Sequence, residues 1–318
     1  HLYSSDFEGE MSRTFLAGVE KLVAKYQKPV CLTMISDREE ILKVQQSQSF
    51  PVFTSPLEGA TALHVSRTYY EMKKARDNRG GLPRCKINLR AVEKIREHCA
   101  SRKRNPLTDE ALAVCAAAGL KPVAHRVLHT EKELRTMPLQ YPLAVKLISR
   151  DASHKSDVGG VKLNVGSKKD LLAAVAGIQK AARQIRPRLA IDGYLLQEMS
   201  PPGVECFVGG RRDPAFGPVI MAGLGGVFIE IFKDTALGLA PVTRSEAEAM
   251  IKDLKGYPLL AGARGKEPAA VKSLVDVVCK ISALLAACPD IAEIDLNPVI
   301  VHPKSRGVSI VDARVFFS

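Results

Sequence analysis

The 318-residue sequence has no tryptophan, no CxxC pair, no apolar run long enough to cross a bilayer, and no GxGxxG that opens a helix after a strand. Without that fingerprint a Rossmann dinucleotide site is excluded. A transmembrane helix needs about 20 consecutive apolar residues, so no membrane partner is expected. The seven cysteines, at 31, 85, 99, 115, 206, 279 and 288, are odd in number and scattered. They give neither zinc-ligand spacing nor a disulfide framework, and are expected as buried thiols in a reducing compartment, the cytoplasm.

The composition is 46% hydrophobic and 25% charged, which suits a globular α/β protein. The net charge of +12 is concentrated in residues 73–104, KKARDNRGGLPRCKINLRAVEKIREHCASRKR. Zinc-finger, RNA-recognition and homeodomain patterns are absent, so the run is expected as a solvated linker and no nucleic-acid partner is expected. At this length the chain should divide into two domains, because single cores seldom grow past about 250–300 residues.

Residues 14–26 place Leu16, Val19, Leu22 and Val23 on one helical face, and KPVCLTMI follows as a buried-strand run. A helix over 38–46, a short strand in FPVFT and a long amphipathic helix over 57–77 continue the alternation of a parallel sheet. Residues 1–80 are thus expected as part of an open α/β domain, residues 81–105 as a basic linker, and residues 106–318 as a second domain. In that domain the spacing predicts a helix from Thr108 stopped at Gly119, strands in LAVKLI and YLLQEM around a helix over 169–184, and an antiparallel sheet in ECFVGGRRDPAFGPVIMAGLGGVFIEIF. Helices over 246–255 and 268–287 follow, then a closing strand pair, IAEIDLNPVIVH with VSIVDARVF. The opening HLYSSDFEGE reads as the interior of a longer protein.

Several residues in this layout suit phosphate, ribose and magnesium chemistry. Lys146 lies inside the apolar run LAVKLI, where an ammonium needs an anionic partner unless it points outward from an alternating sheet. His154 stands in a polar Ser-His-Lys context, open to accepting or binding a phosphoryl group or to plain surface exposure. Gly159 and Gly160 form a short loop that lets backbone amides approach phosphate, or else a tight hairpin turn. Glu198 ends the run YLLQ, and Glu205 follows a Ser-Pro-Pro-Gly turn. Their spacing suits a hinge over a purine and a carboxylate on ribose hydroxyls; exposed strand-end acids are the alternative, less attractive for Glu205, which should be buried in GVECFVGG. Asn297 and Asp312, on two consecutive strands with Asp295, could face one another on a hairpin and supply hard oxygen ligands to Mg²⁺; turn-flanking polar residues are the alternative, which suits Asp312 poorly between the apolar neighbours of IVDARV. Glycines 217, 223, 225 and 226 mark bulges or close approach of a ligand. Glu230, Lys233 and Asp234 follow these glycines, and Asp213 and Arg264, in turn contexts, are weaker candidates for the same cleft.

The order and spacing of SHKSDVGGVKLN, LLQEMSPPGVE, RRDPAFGPVIMAGLGGVFIEIFKD and AEIDLNPVIV resemble the ATP-grasp domain of the ADP-forming acyl-CoA synthetases, relatives of succinyl-CoA synthetase. The resemblance covers about residues 106–318. Residues 1–80, more weakly, resemble the last part of that family's flavodoxin-like, parallel-sheet CoA-ligase domain. It implies that Lys146 contacts nucleotide phosphates, Glu198 the adenine hinge and Glu205 the ribose, and that Asn297 and Asp312 hold Mg²⁺. His154 would assist or carry phosphate moving between a phosphohistidine loop and ADP. The implied ligands are ATP or ADP, phosphate and Mg²⁺. Coenzyme A would be served by the CoA-binding and phosphohistidine half, whose Ser-His-Thr-Gly type motif this sequence lacks; a homo-oligomer is compatible with the resemblance. A second reading is a synthetase-like ligand-sensing region of a protein lysine acetyltransferase.

Overall fold

A computed structural model describes residues 2–3, 10–77, 81–130, 133, 140–151, 158–226, 234–265 and 267–318. The chain forms two compact units, His1–Arg79 and Gly80–Ser318.

The first unit is a parallel three-stranded sheet, β1 (Leu2–Tyr3), β2 (Leu32–Ile35) and β3 (Val52–Phe53), in that order. Around it lie α1 (Glu10–Tyr26), α2 (Arg38–Ser47) and α3 (Pro56–Asp77). Asp37 starts α2 by accepting from the Glu40 amide at 3.0 Å, an N-cap that satisfies an otherwise orphaned donor. The core is Leu16, Leu32, Met34, Ile41, Val44, Phe50 and Val52. The expected helix over 57–77 is present, but it is not packed as an amphipathic helix would be. Of residues 56–74 only Gly59 is buried, while Leu57, Val65, Tyr69, Tyr70 and Met72 are exposed. Its mixed sequence never concentrates apolar residues into one stripe.

The second unit begins with α4 (Leu89–Ser101) and α5 (Thr108–Ala117). Here the basic stretch differs from the linker expected. Its middle is a helix whose Val92 and Cys99 are buried, while Arg90, Lys94, Arg102 and Lys103 are exposed or partly so. The charges therefore line the outer side of a packed helix. Arg104, just after α4, closes on α5: its Nη2 donates to Glu110 Oε1 at 2.8 Å, and Glu110 Oε2 also accepts from the Leu107 amide at 2.7 Å. Burial pushes the Glu110 carboxyl up, but the Arg104 guanidinium and the Leu107 amide outweigh it and hold the group below its ordinary value.

Two antiparallel sheets follow. The smaller has the order β4 (His125–Leu128), β7 (Gly193–Glu198), β5 (Leu143–Ile148), β6 (Val161–Val165). Helix α6 (Lys168–Ile185), capped by Ser167, packs Leu171, Val175 and Ile178 against Leu143, Val145 and Leu147 of β5. In the larger sheet β10 (Thr235–Leu239), β9 (Gly217–Leu224), β8 (Val204–Asp213), β11 (Ile291–Val301) and β12 (Val308–Ile310) lie side by side, and β13 (Arg314–Phe317) also pairs with β11. Helices α7 (Arg244–Lys252) and α9 (Val271–Ala287) cover it, with a short α8 (Tyr257–Leu260) between them. Helix α9 alone contributes Leu274, Val275, Val277, Val278, Ile281, Leu284 and Leu285 to the main core. Cys99, Cys115, Cys206 and Cys279 are buried as expected, whereas Cys31, Cys85 and Cys288 are half-buried. Burial pushes the Cys115 and Cys206 thiols up to about 12, so neither ionises near neutrality. Among the described residues no helix is long and apolar enough to cross a membrane.

The Arg104–Glu110 pair yields a prediction. Because the Glu110 carboxyl is depressed in the folded state, its stabilisation is present above the ordinary value of 4.5 and is lost as pH falls through the lowered one. Arg104→Met should destabilise the second unit by about 2 kcal/mol at neutral pH. Urea unfolding should show that difference shrinking in acid below the ordinary carboxyl value.

Candidate nucleotide and metal site

All six residues of β5 are buried, including Lys146, which is 5% exposed. The alternation of a strand explains how an ammonium comes to lie there. Leu143, Val145 and Leu147 face α6, while Ile148 belongs to the core built on the larger sheet, as does Leu195 across the ladder from Lys146. Lys146 therefore points between the two sheets, not outward. Its Nζ donates to the Val311 carbonyl at 2.9 Å.

Gln197 reaches the same atom. In the β5–β7 ladder Lys146 opposes Leu195 and Ala144 opposes Gln197, so Lys146 and Gln197 share a face. Gln197 is 1% exposed, and its Nε2 donates to Val311 O at 3.0 Å. A carbonyl oxygen has two lone pairs and accepts both. The Gln197 Oε1 is buried with no hydrogen-bond partner among the described residues. Sequence reading missed this residue; the only signal was a polar side chain closing the apolar run YLLQ.

Val311 opens an interruption in the sheet. The run VSIVDARVF is not one strand but two, β12 and β13, broken at 311–313. The cause lies opposite: Pro298 has no amide proton to give to a ladder, and the register of β11 with β8 shifts between Leu296 and Val299. Flanking pairs, Asp295 with Arg314 and Val299 with Ile310, leave residues 296–298 opposite 311–313. Asn297 and Asp312 are the middle residues of these two stretches. Asn297 is exposed and Asp312 half-buried. Val311 N donates to Pro298 O at 3.2 Å, and Asp312 Oδ1 accepts from the Ala313 amide at 2.9 Å. An amide oxygen and a carboxylate, brought to one level by a break that leaves strand pairing unfinished, are the hard donor set that Mg²⁺ takes alongside phosphate and water. Among the described residues no group of three or more His, Cys, Asp and Glu side chains forms a self-sufficient metal cage.

The two glutamates stand at strand ends. Glu198 closes β7 and is exposed, its amide donating to Ala124 O at 3.0 Å. Glu205 is the second residue of β8 and is exposed, not buried as its glycine-rich context suggested. It lies against the turn after β9: Gly225 N donates to Glu205 O at 2.8 Å, and a Cβ on Gly225 would stand 3.3 Å from the Glu205 Cβ. These glycines keep the turn close to Glu205 without covering its carboxylate. Gly223 differs, because a Cβ there would stand 2.5 Å from the Phe207 ring, so its closeness is to the core and not to a ligand.

Gly159 and Gly160 lead into β6 next to Lys146, which pairs with Val161; Leu147 N donates to Gly160 O at 2.7 Å. Gly159 has φ of +63°, and a Cβ on it would come within 3.0 Å of the Ala181 Cβ in α6. Helix packing and the turn both require glycine at 159. His154, Glu230 and Lys233, and the side chain of Arg264, lie outside the described residues. Neither Asp213 nor Asp234 belongs to the site. Asp213 holds the β8–β9 turn by accepting from the Ala215 and Phe216 amides, and eight residues of strand put it about 26 Å from Glu205. Asp234, 5% exposed, is occupied in accepting from the Lys255 and Gly256 amides, both at 2.8 Å.

Two antiparallel sheets meeting over a buried lysine, with paired oxygen donors on the neighbouring hairpin, define the class of the second unit. It is an ATP-grasp domain, and the family model of that description matches residues 98–317. The chain is 41% identical over 226 residues to the beta subunit of acetate–CoA ligase (ADP-forming) II of Pyrococcus furiosus, covering 70% of this chain and 96% of that one. It is 34% identical over 304 residues to acetate–CoA ligase (ADP-forming) I of Archaeoglobus fulgidus, covering 95% of this chain but 44% of that protein. The chain thus spans less than half the length of that relative. A solved structure of acetyl-coenzyme A synthetase 1 from Ca. Korarchaeum cryptofilum superposes with a TM-score of 0.60 at 36% identity, over 72% of this chain and 98% of the other. That structure holds coenzyme A and Mg-AMPPCP, with a phosphohistidine segment pointing towards its nucleotide-binding site. The chain belongs to the ADP-forming acyl-CoA synthetase family. The relatives described are ligases, and the acetyltransferase reading draws no support from them.

Replacing Gly159 by alanine should cost about 1–2 kcal/mol from the left-handed backbone alone. The denaturant midpoint should fall while the slope of the transition stays constant, since the exposed surface is unchanged.

Proposed function

We propose that this chain is the nucleotide-binding and phosphoryl-transfer portion of an ADP-forming acyl-CoA synthetase, which interconverts acyl-CoA, ADP and phosphate with a carboxylic acid, ATP and CoA through an acyl phosphate. The observation that carries this reading is that the buried Lys146 donates to Val311 O, the carbonyl next to Asp312 within the break that lies opposite Asn297. This supports assigning a buried cation and a pair of hard oxygen donors to one site. That is the arrangement in-line phosphoryl transfer requires, since there the protein mainly positions groups and supplies charge.

In this reading Lys146 leaves the Val311 carbonyl to neutralise a nucleotide phosphate, as a point charge with three donors. Glu205 accepts from the vicinal ribose hydroxyls and Glu198 marks the hinge over adenine. Gly159 and Gly160 present backbone beside the phosphates. Asn297 and Asp312 hold Mg²⁺, which when bound spreads the charge developing on the transferred phosphoryl group. His154 assists or transiently carries phosphate arriving from a phosphohistidine segment, so that acyl and nucleotide chemistry proceed in separate places. The partner is the CoA-binding half of the same enzyme, and the setting is the cytoplasm.

Titration calorimetry with Mg·ADP and Mg·ATP tests the assignment. The parent should bind both, and Asn297→Ala should weaken magnesium-dependent binding by about tenfold or more. Unchanged binding in the variant would remove the metal assignment, and no binding by the parent would remove the enzymatic reading in favour of a sensor.

A further inference from the structure

Gln197 is more deeply buried than Lys146, yet among the described residues its amide donates to Val311 O and leaves Oε1 without a partner. Its orientation is fixed by chemistry: only the amide nitrogen can face a carbonyl oxygen, so Oε1 must turn the other way. A side chain present only to fill the core would do better as an apolar residue of the same volume, which leaves no buried acceptor unmet. The bond it makes is to Val311 O, the carbonyl of the residue before Asp312, and the amide of the same Val311 donates to Pro298, the residue after Asn297. The Val311 backbone is therefore held at its amide by the Asn297 segment and at its carbonyl by two side chains of the smaller sheet.

From this we infer that Gln197 is a positioning residue for the metal site: it holds the Val311 carbonyl, and with it Asp312, when Lys146 turns to the nucleotide. The inference rests on the reading in which Asp312 holds Mg²⁺ and Lys146 a phosphate. With Lys146 gone from Val311 O, the Gln197 Nε2 is the side-chain donor that still holds that atom among the described residues. It lies on a central strand of the smaller sheet, whose backbone is paired on both sides, and so offers a rigid anchor. Metal ligands are commonly oriented in this way by groups that do not touch the metal.

The test is the magnesium dependence of nucleotide binding, measured by calorimetry on the intact protein with ADP fixed and Mg²⁺ varied, for the parent, Gln197→Met, Gln197→Glu and Asp312→Asn. Met keeps the volume and removes the donor; Glu keeps the shape and sets an acceptor against Val311 O. Both should raise the Mg²⁺ concentration at half-saturation about tenfold, while ADP affinity at saturating Mg²⁺ stays near the parent's. A merely structural role would lower thermal stability and leave the Mg²⁺ midpoint alone, and that result overturns the inference. So does loss of the folded state in both Gln197 variants. A parent-like midpoint in Asp312→Asn would instead remove the metal assignment beneath it, whereas a shifted Asp312→Asn beside parent-like Gln197 variants would reject the positioning role alone.

Discussion

An ammonium buried between two sheets constrains the second unit more than any other single group. Stripping a charge of water costs several kcal/mol even after relaxation, so Lys146 must find an acceptor within reach. It finds Val311 O, on the hairpin that closes the larger sheet. The requirement extends outward from there. The smaller sheet must be antiparallel, with β5 in its interior, for Lys146 and Gln197 to share a face; α6 must cover the opposite face; and the larger sheet must bring its broken hairpin over the first. Backbone bonding from Val123 N to Ile310 O at 3.0 Å reinforces the same junction. A charge that is costly without a ligand, and satisfied by one, suits a site whose occupant is an anion.

The break at Asp312 is the complementary constraint. A continuous β12–β13 strand would pair Asn297 and Asp312 into the ladder as ordinary turn-flanking residues. Pro298 prevents this because it has no donor, and the interrupted stretch takes Asn297 and Asp312 out of the ladder on both segments. Glycine acts elsewhere by a different route. At 225 and 226 it lets a turn lie against Glu205 while the carboxylate stays exposed, and at 159 it turns the chain into β6 against α6.

The order of Lys146, the glycine pair, Glu198, Glu205, Asn297 and Asp312 carries the resemblance to an ATP-grasp domain, and the strands that hold them, LAVKLI and YLLQE among them, lie within a few residues of where the pattern puts them. What periodicity did not reveal depends on tertiary packing. LAVKLI has the same pattern whether its lysine faces water or a second sheet, so the burial of Lys146 emerged only from the pairing of β5 on both sides. Gln197 looked like the end of an apolar run, because nothing local announces a partner 114 residues away. The basic stretch 81–105 was misjudged since charge density was weighed above Val92 and Cys99, whose helical spacing buries them. Glu205 was expected to be buried because glycines flank it, yet small neighbours expose a side chain as readily as they enclose it.

The proposed site turns on one atom, Val311 O, so the decisive measurement is the structure of the protein with Mg·AMPPCP. In it the Lys146 Nζ should have left Val311 O for a phosphate oxygen, with Mg²⁺ held at Asn297 and Asp312 and with Gln197 still on Val311 O. A nucleotide bound elsewhere while Lys146 stays on the Val311 carbonyl would contradict it.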